Sequence, residues 1–398
     1  MTAARTKLLV LSSTYPRWSD DSEPSFVHEL SKRLADDMDV TVLCPSAKGA
    51  QRLERMDGVK VVRYRYAPNA LETLVHNGGI VGNLASKPWK VALLPTFLLS
   101  QLFTALWLCL RSRPDVMHAH WLVPQGLVAA FLSLCLRRKV PFVVTCHGTD
   151  LWSFRGRIWE PIKRWAAREA SVMAVVSKVM EDELANQVGQ INNVVIAPMG
   201  VDLEKRFRPA FNGRPCTYQI ITVGRLVESK GVEYLIGAMP ELVHRFPAAT
   251  AVIVGDGPDR IRLERLAVQL GVTDHCEFLG KISNKELPDL YRSSSVFVAP
   301  FLQEGLGLVC IEALGCGCPV VASDIPALAD IIEHSGKVHL VPARSRKAII
   351  SAVTEVFSNF DEELNGARRS HSRLSAKFGW NVVSEGYAAI LRGAMTRN

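Results

Sequence analysis

With 398 residues, of which 48% are hydrophobic and 22% charged, the chain is long enough for two globular cores of ~200 residues each. The formal net charge of +8 is uneven: residues 1–200 hold 24 Lys+Arg against 17 Asp+Glu, residues 201–398 hold 23 against 22, and residues 48–178 hold 19 against 7. A basic half suits nucleic acid, an anionic lipid surface or an anionic substrate, and without a helix-turn-helix, zinc-finger or RNP-like motif nucleic acid ranks last.

The N-terminal MTAARTKLLVLSSTYP carries only a short apolar run before Pro16 and reads as a first strand, not a signal peptide. Apolar strands then alternate with helical stretches: Lys7–Ser12, Val40–Cys44, Val59–Tyr66, Val116–Ala119, Phe142–Cys146, Val172–Val176 and Val194–Ala197. Alternation of this kind predicts a parallel sheet covered by helices. Between the first strand and first helix lies YPRWSDDSEPSFVHEL, which places Ser25 and Phe26 at a helix start. Val91–Leu110 is twenty residues without a charge. By length it could span a membrane, but Pro95, Ser100, Gln101 and Thr104 interrupt it and a strand follows almost at once. A buried or mostly buried helix, a helix lying in the membrane interface and a true span all remain open. Trp89 and Trp107 near its ends suit the interface.

His118 and His120 have a spacing that suits a metal, but no Cys or acidic partner clusters with them, so no metal site is assigned. They read as strand-end residues. FVVTCHGTDLW puts His147 and Asp150 just after another strand end. A lone histidine there is more often a structural hydrogen-bonder. The nine cysteines show no CxxC pair and read as reduced and structural.

The polar, proline-containing stretch Glu204–Pro215 is the best linker. A second set of strands follows at Tyr218–Val223, Ala251–Gly255, Cys276–Leu279, Val296–Ala299 and Val320–Ser323. Each of the first four runs into a loop of distinct character: VGRLVESKG with Arg225 and Lys230, VGDGP, FLGKIS around Gly280, and PFLQEGLGLVCIEAL. In open α/β sheets ligands bind at that edge. Arg225 and Lys230, on a solvent-facing loop, are suitable counter-charges for a diphosphate. In the last loop Glu304 and Glu312 stand eight residues apart around Gly305, Leu306, Gly307 and Leu308, whose N–H groups open a helix and favour an anion. A buried strand–turn–helix with two solvated glutamates is the plainer reading of that segment alone.

Four such loops in this order resemble the retaining nucleotide-sugar glycosyltransferases of family 4, over nearly the whole chain. The resemblance implies the α/β GT-B fold: two Rossmann-like domains, 1–203 on the acceptor side and 216–377 for the donor, with parallel sheets facing across a cleft. It also implies a C-terminal helix, 378–398, returning to the first domain. Arg225 and Lys230 would neutralise the donor diphosphate, Glu312 would hold the ribose, and Glu304 the transferred sugar. Backbone around Leu279, Gly280 and Lys281 would meet the base, and His147 the sugar near the reacting centre. Asp150, His120 and Ser25 would lie on the acceptor side. Two departures stand out: Pro24–Ser25–Phe26 replaces a usual glycine pair near the donor phosphates, and HLVPARSRKAI (His339–Ile349) replaces a more regular motif remote from the chemistry.

The resemblance thus implies a metal- and cofactor-independent retaining hexosyltransferase. Its partners would be a nucleotide sugar and a lipid-linked or oligosaccharide acceptor, at the cytoplasmic face of a membrane in exopolysaccharide synthesis. A nucleotide-sugar epimerase of the same fold and a non-catalytic membrane-docked subunit are the alternatives. The intact Arg225, Lys230, Glu304 and Glu312 speak against the latter.

Overall fold

The computed structural model describes residues 5–18, 21, 23–76, 79–209, 216–335 and 338–396. The chain divides into two compact units, Met1–Met199 with Val383–Asn398, and Gly200–Val382. Of the expected linker Glu204–Pro215, residues 210–215 lie outside the described residues.

Among the described residues the first unit holds eight strands: β1 (Thr6–Leu11), β2 (Met38–Pro45), β3 (Leu53–Met56), β4 (Val59–Tyr64), β5 (Val116–His120), β6 (Phe142–Cys146), β7 (Val172–Val175) and β8 (Val194–Ile196). Their order is β3-β4-β2-β1-β5-β6-β7-β8. All pairs are parallel except β3 with β4. The inner strands are covered on both faces and therefore read as unbroken apolar runs. β3 is a correction to the expected strand list. Its sequence LERM is half polar and Leu53 is exposed, as befits an antiparallel edge strand that buries little.

Among the described residues the second unit holds six strands: β9 (Gln219–Val223), β10 (Thr250–Val254), β11 (Cys276–Gly280), β12 (Val296–Ala299), β13 (Val320–Ser323) and β14 (His339–Val341). All are parallel, in the order β11-β10-β9-β12-β13-β14. The chain builds outward from β9 through β11, then returns to the other side of β9 with β12. That reversal creates a switch point, where the loops after β9 and β12 diverge and leave a crevice. Ile220, Ile253, Val298, Leu235, Met239 and Val353 form part of the core below it. β14 was not foreseen either; three residues are too few for a periodic signal.

The last helix, Trp380–Thr396, starts two residues later than Phe378 because Gly379 is extended and ends the preceding helix, Phe360–Phe378. From Val383 onward it belongs to the first unit, where Tyr387 Oη donates to the Ala197 carbonyl at 2.9 Å.

The uncharged stretch is a 3-10 turn, Pro88–Leu93, and a helix, Leu94–Ser112. Phe97, Gln101, Ala105 and Leu108 lie at helical spacing on one buried face, which rests on β2, β4 and the helix Leu127–Cys135. Trp89, Leu99, Phe103, Trp107 and Leu110 are exposed. Of the three readings, the buried or mostly buried helix is therefore not what forms: one face docks on the sheet and the other stays apolar and open.

Candidate active site

Three glycine loops are stitched together at the carboxyl edge of the second sheet. Gly224 N–H donates to Val254 O (3.0 Å), Leu226 N–H to Asp256 O (3.1 Å), and Gly255 N–H to Gly280 O (2.8 Å). The backbones come so close that a Cβ on Gly255, at φ +131°, would stand 1.8 Å from Gly224 O. VGDGP needs its glycine for this approach. The loop after β12 joins them: Leu302 N–H donates to Ser229 O at 2.8 Å, and Gln303 N–H to the same oxygen at 3.2 Å. Arg225, Lys230, Gly280 and the Glu304–Leu308 turn thus share one edge.

Arg225 is exposed, as expected, but Lys230 is not simply a solvent-facing cation. Its ammonium is ion-paired with the Glu304 carboxylate and lies 4.4 Å from the Phe301 ring centroid. Gly305 N–H donates to Glu304 Oε1 at 3.0 Å, and Leu306 N–H also serves that carboxylate. The anion at this helix start is thus Glu304 itself. Burial alone would raise the Glu304 carboxyl, but the Lys230 charge and hydrogen bond, with the two backbone donors, outweigh it and hold it below the usual range. Gly307, at φ +83°, caps the helix Leu308–Gly315.

Glu312 sits one turn into that helix and behaves oppositely. Burial pushes its carboxyl up to about 7, against a lowering contribution from Tyr291, whose Oη donates to Glu312 Oε2 at 3.1 Å. Tyr291 is wholly buried and was missed in the sequence, where it looks like any aromatic on the helix Leu287–Ser293.

In the first unit, His147 follows β6 and its Nε2 lies 3.0 Å from His120 Nδ1. His118 and His120 alternate along β5 and so share a face; their rings are 4.2 Å apart and both are fully buried. Phe26, at the start of the helix Phe26–Leu34 behind Ser25, packs on His147 at 4.9 Å, as does Trp121. Burial pushes His118 and His147 down to about 3 and His120 well below its ordinary value. Asp150, read as an acceptor-side residue, turns inward instead. It is 1% exposed, and its carboxylate accepts from the N–H groups of Leu122 (2.7 Å), His147 (3.2 Å) and Gly148 (3.1 Å). Burial raises its carboxyl despite those donors. His120 likewise offers no exposed atom; its place is behind His147. The trio His339, Glu355 and Glu363 is close enough to share a cation, but it sits at edge strand β14, away from the β9 and β12 loops.

Residues 25–205 match the family described as Glycosyltransferase Family 4, and residues 204–370 that described as Glycosyl transferases group 1. The chain is a glycosyltransferase of the GT-B superfamily. It is 28% identical over 406 residues to the glycogen synthase of Mycobacterium tuberculosis, covering 98% of this chain and 95% of that one. It is also 28% identical over 294 residues to that organism's GDP-mannose-dependent alpha-(1-6)-phosphatidylinositol monomannoside mannosyltransferase, covering 68% and 74%. The sucrose-phosphate synthase of Thermosynechococcus elongatus superposes with a TM-score of 0.82 at 20% identity, over 99% of this glycosyltransferase and 100% of that protein. Anabaena HepE in complex with UDP-glucose does so with 0.75 at 17%, over 98% and 100%. At those identities the structures bear on the fold alone.

Proposed function

We propose that this glycosyltransferase moves a hexose from a nucleotide sugar to a lipid-linked or oligosaccharide glycan acceptor, with retention and without a metal ion, in surface-polysaccharide assembly. The observation that carries this reading is the Lys230–Glu304 pair beside Arg225 at the switch point of the second sheet. One edge there offers cations for a diphosphate and a carboxylate for sugar hydroxyls. Arg225 and Lys230 supply the counter-charge that a divalent ion would otherwise give. Glu312 takes the ribose hydroxyls, backbone near Gly280 meets the base, Glu304 orients the hexose, and His147 donates a hydrogen bond to a sugar oxygen. The relative named for GDP-mannose and a phosphatidylinositol mannoside supports a nucleotide-linked hexose as donor.

In the reaction, the bond from the anomeric carbon to the diphosphate oxygen breaks while a bond to the acceptor oxygen forms on the same face. The acceptor proton passes to the departing phosphate oxygen. Negative charge grows on the diphosphate, and the fixed cations Arg225 and Lys230 stabilise it without reorganising. Glu304 stays paired with Lys230 and orients the sugar; it is not the nucleophile.

Location at the cytoplasmic membrane face is supported by the open apolar face of the helix Leu94–Ser112, with Phe131 and Leu134 exposed on the neighbouring helix Leu127–Cys135. The excess of basic residues in 48–178 adds attraction to anionic lipid.

The test is incubation with radiolabelled UDP-, GDP- and ADP-hexoses and a membrane extract. Label in an organic-soluble or polymeric product supports transfer. Free sugar released without acceptor supports an epimerase instead.

A further inference from the structure

Behind His147 a line of hydrogen bonds has one fixed end. Ala197 offers a carbonyl, so Tyr387 Oη donates to it at 2.9 Å. The phenol oxygen in turn takes a hydrogen bond from the Thr145 side chain. Thr145 Oγ1, its one hydrogen spent, accepts from His118 Nε2 at 2.8 Å. A neutral imidazole has one donor and one acceptor. His118 therefore carries its hydrogen on Nε2, and its Nδ1, buried without a partner among the described residues, is a bare lone pair.

His120 poses the same question one ring further on. Its Nδ1 faces His147 Nε2 at 3.0 Å, and its Nε2 is buried without a partner among the described residues. Either the N–H of His120 or its lone pair is the orphan. Buried N–H groups without acceptors are rarer than under-used acceptors, and His118 already shows the second solution. His120 then carries its hydrogen on Nδ1 and donates to His147 Nε2. His147 has only Nδ1 left for its own hydrogen. The neighbouring carboxylate does not compete, because Asp150 spends its oxygens on backbone N–H groups.

We infer that His120 is a positioning residue that holds His147 as the neutral tautomer protonated on Nδ1, so that His147 meets sugar as a hydrogen-bond donor and takes up no proton in the reaction. This deepens the proposed function and rests on it for the sugar contact; the tautomer itself does not. Neutrality of the stack agrees with its burial, which pushes all three imidazoles down.

The experiment is two-bond proton–nitrogen NMR of the 15N-labelled full chain, with the His147 ring assigned by comparison with His147→Gln. The expected result is a pyrrole-type Nδ1 and a pyridine-type Nε2 in the unmodified protein. His120→Asn, whose amide can donate from the place of Nδ1, keeps that signature. His120→Asp, whose carboxylate only accepts, moves the hydrogen to Nε2 and lowers kcat about 10-fold with little change in the donor KM. An Nε2-protonated His147 in the unmodified protein overturns the inference, as does an unchanged signature in His120→Asp. The unmodified spectrum decides even where a variant fails to fold. If the spectrum is as expected but His147→Gln transfers sugar at full rate, the sugar contact fails and the tautomer stands.

Discussion

Lys230 and Glu304, 74 positions apart in the chain, form an ion pair in which the two side chains are 20% and 18% exposed. The pair ties the loop after β9 to the loop after β12 across the switch point, and it holds Lys230 where its ammonium, with three donors, would also serve a diphosphate.

Removing one partner leaves the other charge half-buried. Lys230→Ala should therefore slow transfer ~10- to 150-fold by loss of a charge-assisted contact and also cost ~1–3 kcal/mol of stability. Arg225→Ala, at an exposed position, should slow transfer by a similar factor with a smaller fall in melting temperature. Thermal unfolding beside steady-state rates checks both. Equal melting shifts in the two variants would contradict the asymmetry.

The two glutamates should separate by pH. Glu312 in the free protein titrates at about 7 because burial disfavours its charge. Ribose hydroxyls need the ionised carboxylate as acceptor, so nucleotide binding should release a proton. Affinity for a free nucleoside diphosphate should then be full above pH 7 and fall as pH drops through it, approaching ~10-fold per unit well below. Calorimetry in buffers of different ionisation enthalpy reads the proton directly. Glu312→Gln should flatten the profile. Glu304→Gln should leave nucleotide binding nearly intact and lower turnover.

Both sheets were legible in the sequence because their central strands are covered on both faces and appear as apolar runs, those of the second sheet ending in glycine loops. The polar edge strand β3 and the three-residue β14 escaped, since neither buries enough to leave a pattern. The site was legible as loops in order, but not as contacts. Nothing local in VGRLVESKG shows that Lys230 pairs with Glu304, or that Tyr291 donates to Glu312. Two-residue alternation on β5 does place His118 and His120 on one face, a signal that could have been used. That His147 of the next strand arrives 3.0 Å away is set by sheet register, which appears only on folding.

Glycine positions give a sharp contrast. Gly255→Ala forces a Cβ to 1.8 Å from Gly224 O, so it should cost ~2–5 kcal/mol and abolish nucleotide binding. Gly386→Ala, inside the helix Trp380–Thr396 with no atom within 4 Å, should stabilise by ~0.5–1 kcal/mol. Denaturant titration of both variants measures the difference.

The membrane reading turns on exposed residues of the helix Leu94–Ser112. Phe103→Glu and Trp107→Glu together should abolish flotation with anionic vesicles while leaving thermal unfolding unchanged. Leu108 is 3% exposed, so charging it should instead unfold the unit. Binding to anionic vesicles at low salt that is untouched by the Phe103 and Trp107 changes would remove this helix as the anchor.

The most direct measurement is the anomeric configuration of the linkage made from a hexose donor that the panel identifies, read by proton NMR coupling at the new glycosidic carbon. The account predicts that the product keeps the configuration the sugar had in the nucleotide donor, and that Lys230→Ala slows its formation without changing that outcome. An inverted linkage would contradict same-face transfer assisted by the departing diphosphate.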